Sequence, residues 1–367
     1  MNIWKPKILD RYIMKKFIVS FFIAMLLIIG IVIIFDLSEK IDDFVKYEAP
    51  LKEIIFDYYL NYIPYFINMF SPLFVFITVV FFNSRMAANS EIIAILSGGV
   101  SFQRMMVPHI ISAVIIALLS LGLNLFVIPR ANATRVEFDG KYNKYYRGDQ
   151  SFSSDNLHYQ VSPGEFVYVS SFSKWNKTAY KFTLEKIENG RLVSKMTAES
   201  AAWDSLSESW HLRNYFIRDY SEGLGDRVRS GEQMDTVIPL KLADFYLNKK
   251  TVETLTIKDL NELMATQKMR GDANIMFSKI EKNRRMTLPF SSFILTIMGV
   301  ALTSRKKRGG IGWNLALGIA LAFMYILFLR FSEMFVYTGV LPAAVALWMP
   351  NVIYAIIAVV LYRMAPK

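Results

Sequence analysis

Charged residues along this chain fall into clusters separated by six long stretches that contain none. The stretches run 19 residues between Lys16 and Asp36, 27 between Asp57 and Arg85, and 25 between Arg104 and Arg130. After a long gap come 19 between Arg285 and Arg305, 21 between Arg308 and Arg330, and 29 between Glu333 and Arg363. A helix rising about 1.5 Å per residue needs about 20 mostly apolar residues to cross a hydrocarbon layer about 30 Å thick. Helices buried in a soluble protein keep a polar stripe that returns every few residues, and these stretches keep none. The pattern predicts six membrane-spanning helices grouped three and three. The first apolar stretch exceeds the usual signal-peptide core and has no small-x-small site before Asp36, so it is expected to stay attached.

The 156 residues from Arg130 to Arg285 have a different texture. Four segments alternate apolar and polar residues and are rich in β-branched and aromatic side chains: 165–172, 180–187, 191–198 and 210–220. Asn189-Gly190, Ser207 to Ser209 and Gly223 to Gly225 punctuate them. This spacing predicts a domain of short antiparallel strands, a sandwich or jelly-roll-like fold. Beyond Pro239 the pattern turns helical. Thr256 with Asp259 three residues on reads as a capped helix start, Gly271 as its end, and a second helix from about Asp272 as the run into the fourth span. Pro64, Pro72, Pro342 and Pro350 are expected to kink or end helices within the long second and sixth stretches. The chain thus divides into residues 1–129 (spans one to three, with a cytoplasmic loop near 84–103), 130–255 (β domain), 256–285 (helical connector) and 286–367 (spans four to six).

Composition agrees with this division and removes other classes. A chain of 367 residues with 53% hydrophobic residues and no cysteine is neither disordered nor disulfide-stapled. The formal net charge of +11 would suit a nucleic-acid binder if it were spread over a soluble surface. It is concentrated instead. One set of flanks holds 13 basic residues, from Lys5 through Arg85, Arg104 and Arg305 to Lys367, and the opposite short loops hold four, Lys40, Lys46, Lys52 and Arg330. Cytoplasmic loops retain Lys and Arg, so both termini, the loop after span two and the Arg305-Lys306-Lys307-Arg308 loop are expected inside and residues 130–285 outside.

Catalytic and metal chemistry is sparse. No G-x-x-x-x-G-K-[ST] loop occurs, and Gly309-Gly310-Ile311-Gly312 reads as a helix start, so no nucleotide is expected on this chain. His109, His158 and His211 are far apart and there is no cysteine for a zinc site. A cation held by Asp36, Glu39 and Asp43 is one reading of the acidic run after span one, and a solvated outer loop is the simpler one. Gly98-Gly99-Val100-Ser101 lacks the spacing of a nucleophile elbow. The spans carry no charge within their boundaries, and His109 reads as a satisfied interfacial histidine, which counts against an ion-coupled pump. The loop 84–103 contains Asn89-Ser90-Glu91-Ile92-Ile93-Ala94-Ile95-Leu96-Ser97. It has a polar start able to cap, an acid at a helix N-terminus and Ile92, Ile95 and Leu96 on one face, with Gly98-Gly99 as a stop. This is a short amphipathic helix, suited to a partner or to the headgroups.

At several places the chain resembles the LptF/LptG-type lipopolysaccharide export permeases. The matching pieces are Asp10-Arg11-Tyr12, Asp36-Leu37-x-Glu39-x-x-Asp42-x-Phe44 and Ser90-Glu91-x-x-Ala94-x-x-x-Gly98-x-x-Ser101. Further on come Trp203-Asp204, Trp210-x-Leu212-x-Asn214, Arg285-x-x-x-Pro289 and Arg308-Gly309-Gly310. Each is short, but together they span nearly the whole chain in order. The resemblance implies a six-span inner-membrane subunit with a periplasmic β-jelly-roll domain that extracts lipopolysaccharide. Its implied partners are a second permease of the same type, a cytoplasmic ATP-binding cassette ATPase dimer that hydrolyses the ATP, and a periplasmic jelly-roll bridge protein. It implies that the loop helix couples to the ATPase through Glu91, Ala94, Gly98 and Ser101, and it implies no cofactor on this chain.

Such a lipid carries phosphates at headgroup depth and several acyl chains, so its site should pair outer-face cations with an apolar wall. The candidates are Lys40, Arg130, Arg135, Arg284, Arg285 and Arg330, with headgroup anchoring as the alternative role of each. Lys40 and Arg330 lead, because family cavities are lined by spans one and five. The wall candidates are Ile28, Ile31, Phe35, Phe323 and Leu327. A stand-alone lipid flippase and a membrane-anchored scaffold with an outside binding domain are the competing readings.

Overall fold

The computed structural model describes residues 7–143, 153–173, 176–221, 225–246, 249–272, 274–304 and 310–365. Six helices among them are long and apolar enough to span a membrane. In chain order the helices are α1 (Ile8–Lys46), α2 (Leu51–Ala88), α3 (Glu91–Ser97) and α4 (Phe102–Tyr142). After the strands come α5 (Lys249–Glu253), α6 (Ile257–Arg270), α7 (Ile275–Thr303), α8 (Gly310–Tyr337) and α9 (Ala343–Met364). The expected basic loop 305–308, with Gly309, lies outside the described residues, as do Lys5, Gly223 and Lys367.

Charge-free runs mark where these helices cross, not where they end. Both α1 and α4 continue 11 to 13 residues past their apolar stretches into polar sequence. Pro64 and Pro72 stay inside α2, preceded by a π-helical segment at Ile54–Tyr59, and a second π segment at Leu123–Val127 interrupts α4. Such wide turns reseat backbone bonds within a helix without ending it. The long sixth stretch is shared between two helices: α8 runs to Tyr337, and α9 starts after Pro342, where the fixed proline φ suits a helix start. Pro350 lies within α9.

The chain divides into two compact units: residues 1–42, 50–135 and 279–367, and residues 43–49 and 136–278. In the helical unit one core cluster joins Ile13, Phe17, Phe21 and Met25 of α1 to Val75, Val79 and Phe82 of α2, Ile92 of α3 and Met105 and Ile116 of α4. A second joins Phe76 and Val80 of α2 to Leu295 and Met298 of α7, Tyr325 of α8 and Tyr354 of α9. Helices approach closely here because glycine permits it: a Cβ on Gly299 or Gly318 would sit 3.0 Å from Val79 or Val80 respectively.

The other unit is built on six antiparallel strands: β1 (Ser153–Ser162), β2 (Glu165–Ser173), β3 (Thr178–Glu188), β4 (Arg191–Asp204), β5 (Ser209–Asp219) and β6 (Arg227–Thr236). They form one sheet in sequential order, each strand paired with its chain neighbour. The four alternating segments are β2 to β5. The outer strands were not foreseen: β6 has no buried residue to alternate against, so its sequence carries no period of two. The sheet's buried face gathers Val167, Val169, Phe172, Phe182, Met196 and Trp210 under Leu240 and Phe245. Trp210 is fully buried, and its Nε1–H donates to the Leu240 carbonyl at 3.0 Å. Trp203 packs edge-on against it at 5.1 Å, so both tryptophans of the sequence motif serve this core. As expected, α6 starts at Thr256, whose hydroxyl accepts from the Asp259 N–H at 3.3 Å, and Gly271 ends it with φ +64°.

His211 of β5 faces Asp235 across the β5–β6 pair, bonds to it through Nδ1 and lies 3.6 Å from Asp204. The hydrogen bond to Asp235 and the two carboxylate charges raise the imidazole above its ordinary 6.5, against a smaller opposing effect of burial. A raised histidine contributes its full stabilisation below 6.5 and loses it as pH rises through the raised value. The β5–β6 contact should therefore loosen above that value. Imidazole NMR titration of the intact protein is expected to give a midpoint above 6.5 that falls when Asp235 becomes Asn; an unchanged midpoint in Asp235→Asn would contradict the pairing.

Candidate functional site: a charged cavity between the spans and a short loop helix

Polar residues inside the apolar helices converge on one cavity of the helical unit, about 720 Å³ with the open space at its mouth included. Tyr65, Asn68, Met69 and Pro72 of α2 form one side, and Asn124, Ile128 and Asn132 of α4 another. Glu281, Arg284 and Leu288 of α7, Tyr325, Ile326, Leu329, Arg330 and Glu333 of α8 and Leu347 of α9 close it. An asparagine in hydrocarbon is costly unless paired. Here Asn68 Nδ2 donates to Asn124 Oδ1 at 2.8 Å, and the Ser120 hydroxyl donates to Asn68 Oδ1 at 2.6 Å. The charge-free pattern passed over these side chains. Asparagines within otherwise apolar runs were the signal that could have found them.

Two of the six predicted cations, Arg284 and Arg330, line the cavity, and each faces an acid from its own helix. Arg284 pairs with Glu281, and Arg330 Nη1 lies 3.4 Å from Glu333. The Arg330 side chain is 47% exposed and also touches Met69 Sδ at 3.7 Å. Arg285 is neither solvated nor anchored in headgroups. It is 2% exposed, donates from Nε to Glu281 at 2.8 Å, and has both terminal nitrogens buried without a hydrogen-bond partner. Glu281 thus holds two arginines one helical turn on, at i+3 and i+4.

Lys40 and Arg135 meet elsewhere in this unit, on a run of tyrosines along α2. Lys40 bridges Asp36 one turn earlier at 2.9 Å and contacts the Tyr58 hydroxyl, which itself donates to Asp36. Its ammonium lies over the Tyr58 ring at 4.5 Å and reaches Tyr62 at 5.9 Å. The Arg135 guanidinium lies over Tyr62 and Tyr65 at 5.3 and 5.0 Å, a cation–π arrangement strengthened by its burial. Tyr62 is therefore shared by both cations, and Tyr65 connects this cluster to the cavity wall. Arg130 stays exposed on α4. No residue of α1 lines the cavity. Of the apolar wall candidates, Ile28 packs against the core, Leu327 is half-buried, and Ile31, Phe35 and Phe323 stand exposed on the outside of the helices.

The loop helix α3 forms where expected, with one correction. Ser90 has φ +61° and makes no side-chain cap, so the predicted serine cap is absent. The turn at Asn89 and Ser90 is too tight for the extended backbone an N-cap requires. Glu91 holds the first turn from outside instead: it accepts from the Tyr12 hydroxyl at 2.7 Å and pairs with Lys16 Nζ at 3.2 Å. Burial alone would raise this carboxyl, but the hydrogen bonds from Tyr12 and Lys16 and the lysine charge overcome it and hold Glu91 below the ordinary carboxylate value. Ile92 is buried and Ile95 and Leu96 pack beside it, while Ile93, Ala94, Ser97 and Gly98 form an exposed strip of mostly small residues. Gly99, with φ +83°, supplies the left-handed stop. Ser101 caps α4 by accepting from the Arg104 N–H at 3.2 Å. His109 is buried, bonded to the Met105 carbonyl and Asn83, and stacked on Phe82.

Comparison with known proteins gives one family. The family model for the lipopolysaccharide export system permease LptF/LptG matches residues 11–364. No curated protein matches the chain.

Removing the Glu281 charge strands Arg285 in a buried site. Breaking such an arrangement from one side costs about 3–5 kcal/mol. Glu281→Gln is expected to lower the thermal unfolding midpoint of the full-length protein in detergent sharply, and adding Arg285→Met should recover most of the loss. A single variant as stable as the parent would show that Glu281 does not neutralise Arg285.

Proposed function

Since the chain belongs to the LptF/LptG family of lipopolysaccharide export permeases, we propose that it works as one half of an ATP-driven exporter whose hydrolysis takes place on another chain. On this reading the protein lies in the bacterial inner membrane with both termini and α3 in the cytoplasm and residues 130–285 in the periplasm. It pairs with a second permease of the same type, sits on a cytoplasmic ATP-binding cassette ATPase dimer, extracts lipopolysaccharide from the outer leaflet, and passes it to a periplasmic bridge protein of the jelly-roll kind. The chain itself binds no cofactor.

The observation that carries the coupling step is α3: a short helix with its apolar side packed into the core and the strip Ile93, Ala94, Ser97 and Gly98 left facing out. Small residues let another helix or groove approach the backbone closely. Glu91 at its start and Ser101 just beyond complete the segment offered to the ATPase.

For the substrate, the proposed contacts are Lys40, Arg130, Arg135, Arg284 and Arg330, with Arg285, buried beneath Glu281, acting through that acid. Arg330 is the most accessible of the paired cations in the cavity, and its link to Glu333 at 3.4 Å is long enough to yield to a phosphate. The exposed apolar residues Ile31, Phe35 and Phe323 supply surface for acyl chains.

Glu91→Lys reverses the charge at the start of α3. It is expected to abolish co-purification of the ATPase and lipopolysaccharide export in cells while the permease still reaches the membrane. Full ATPase recovery with normal export would remove the coupling step. Photocrosslinking amino acids at positions 40 and 330 are expected to capture lipopolysaccharide, and one at Ile356, exposed on α9, is expected to capture far less. Equal capture at all three would remove the substrate assignment.

A further inference from the structure

The base of α1 is bound to Glu91 at the start of α3 and to the first turn of α4, through side chains of its own that the functional reading leaves unused. At the start of α3, Glu91 accepts from Tyr12 at 2.7 Å and pairs with Lys16 at 3.2 Å. Tyr12 and Lys16 are one turn apart on α1, and the lysine also contacts the tyrosine hydroxyl. Beyond the end of α3, where Ser101 starts α4, Arg104 grips Asp10 through both terminal nitrogens, at 2.7 and 2.6 Å. Asp10 is 4% exposed and also accepts from the Lys7 N–H at 2.8 Å. A bidentate arginine–carboxylate pair fixes orientation as well as distance. Between these two fastenings, Ile92 is buried in the same core cluster as Ile13 and Phe17 of α1.

The rest of α1 is held differently. Its contribution to the core ends at Ile28, and from there outward Ile31, Ile34 and Phe35 are exposed. Asp36 and Lys40 make the next polar contact, with Tyr58. A helix held at its base and again at Asp36 and Lys40, with an exposed stretch between, turns a displacement of the base into a tilt about the outer contacts.

We propose that Asp10, Arg104, Tyr12 and Lys16 are positioning residues that lock α3 to the base of α1, so that a shift of α3 is delivered to the first membrane helix. Glu91 ties the start of α3 to α1, and the Asp10–Arg104 pair ties the first turn of α4, separated from the end of α3 by four residues, to the same part of α1, so that α1 and the α3–α4 turn move as one body. This rests on the reading above that α3 is where the ATPase acts, but the lock itself is a property of this chain alone.

The test uses the whole complex purified into nanodiscs, with Asp10→Arg, Arg104→Asp and the reversed pair carrying both. Each single variant is expected to retain the ATPase and its hydrolysis but to move at least about fivefold less lipopolysaccharide per ATP, the scale of a typical coupling energy. The reversed pair should recover most of that ratio, which loss of fold would not allow. If a reversal fails to accumulate, Asp10→Asn serves in its place, with an intermediate loss expected. A second readout needs no ATPase. Because the chain has no cysteine, nitroxides at Lys15→Cys and Ile93→Cys, both exposed, report the α1–α3 distance directly. A narrow distribution in the parent is expected to broaden in the single variants and narrow again in the reversed pair. Unchanged distances and unchanged transport per ATP in the single variants would overturn the lock, as would a reversed pair no better than either. If no ATPase accompanies the parent protein, the functional reading fails, and the nitroxide distances still decide the lock.

Discussion

Hydrocarbon offers no hydrogen bonds, and that constraint organises the helical unit. Every polar side chain carried into the spans must find its partner within the chain or hold its cost. The partners are visible in pairs: Asn68 with Asn124 and Ser120, Asn83 with His109, Asn314 with Ser84 at 3.2 Å, and Tyr325 with Asn351 at 2.7 Å. Asn351 in turn donates to the Thr287 carbonyl at 3.0 Å, in the turn before Pro289. Each link joins two different helices, so the same bonds that satisfy polar atoms also select which helices are neighbours. Apolar packing cannot make that choice alone, because lipid tails are as apolar as the side chains they would displace.

Burial is uneven among the spans, and the links alone do not set it, since α8 carries two of them. Only 17% of the most apolar window of α1 is buried within the chain, and 22% of that of α8, against 72% for α7. The contrast follows from composition: α7 carries Ser291, Ser292, Thr296, Thr303 and Ser304, all buried, whereas the central turns of α1 are Ile, Leu and Met. In a membrane such faces need no protein cover. They are also free to be covered by a second chain or by the acyl chains of a lipid, and the family to which the chain belongs handles such a lipid.

What could be read from residues alone follows the same physics. Runs without charge report the bilayer directly, because a charge at its centre costs several kcal/mol, and so the six spans and the inserted β domain were plain. Local rules also carried: Thr256 and Gly271 bound their helix because capping depends on a few adjacent residues. Ser90 failed because its conformation is set by contacts 75 to 79 residues away, from Glu91 to Lys16 and Tyr12. Strand β6 has no hydrophobic alternation to read, because all its residues but Met234 and Thr236 are exposed. Five of the six cations sit in paired or buried surroundings and Arg130 is exposed, and this grouping was not legible. Whether Lys40 meets Arg135 or Arg330 depends on helix rotation and packing, and only the fold shows Tyr62 shared between Lys40 and Arg135.

The cavity raises one further question, which is why a protein would carry ion pairs into a largely apolar bundle at all. Replacing buried pairs by apolar residues of similar volume is often neutral or stabilising, so stability does not explain Glu281, Arg284, Arg330 and Glu333 around one space. Their balance is more informative. Two cations and two acids make the lining itself formally neutral, and Arg285 behind it, also on Glu281, adds one positive charge. On the proposed function, a phosphate-bearing lipid entering this space does not need to create a site. It needs only to exchange with a carboxylate already seated on the arginine, and the longer, more exposed Arg330–Glu333 contact is where that exchange costs least. Arg285, locked beneath Glu281, then keeps the acid in place when Arg284 turns to the ligand. These five side chains, three arginines and two acids, carry one net positive charge that an entering phosphate offsets.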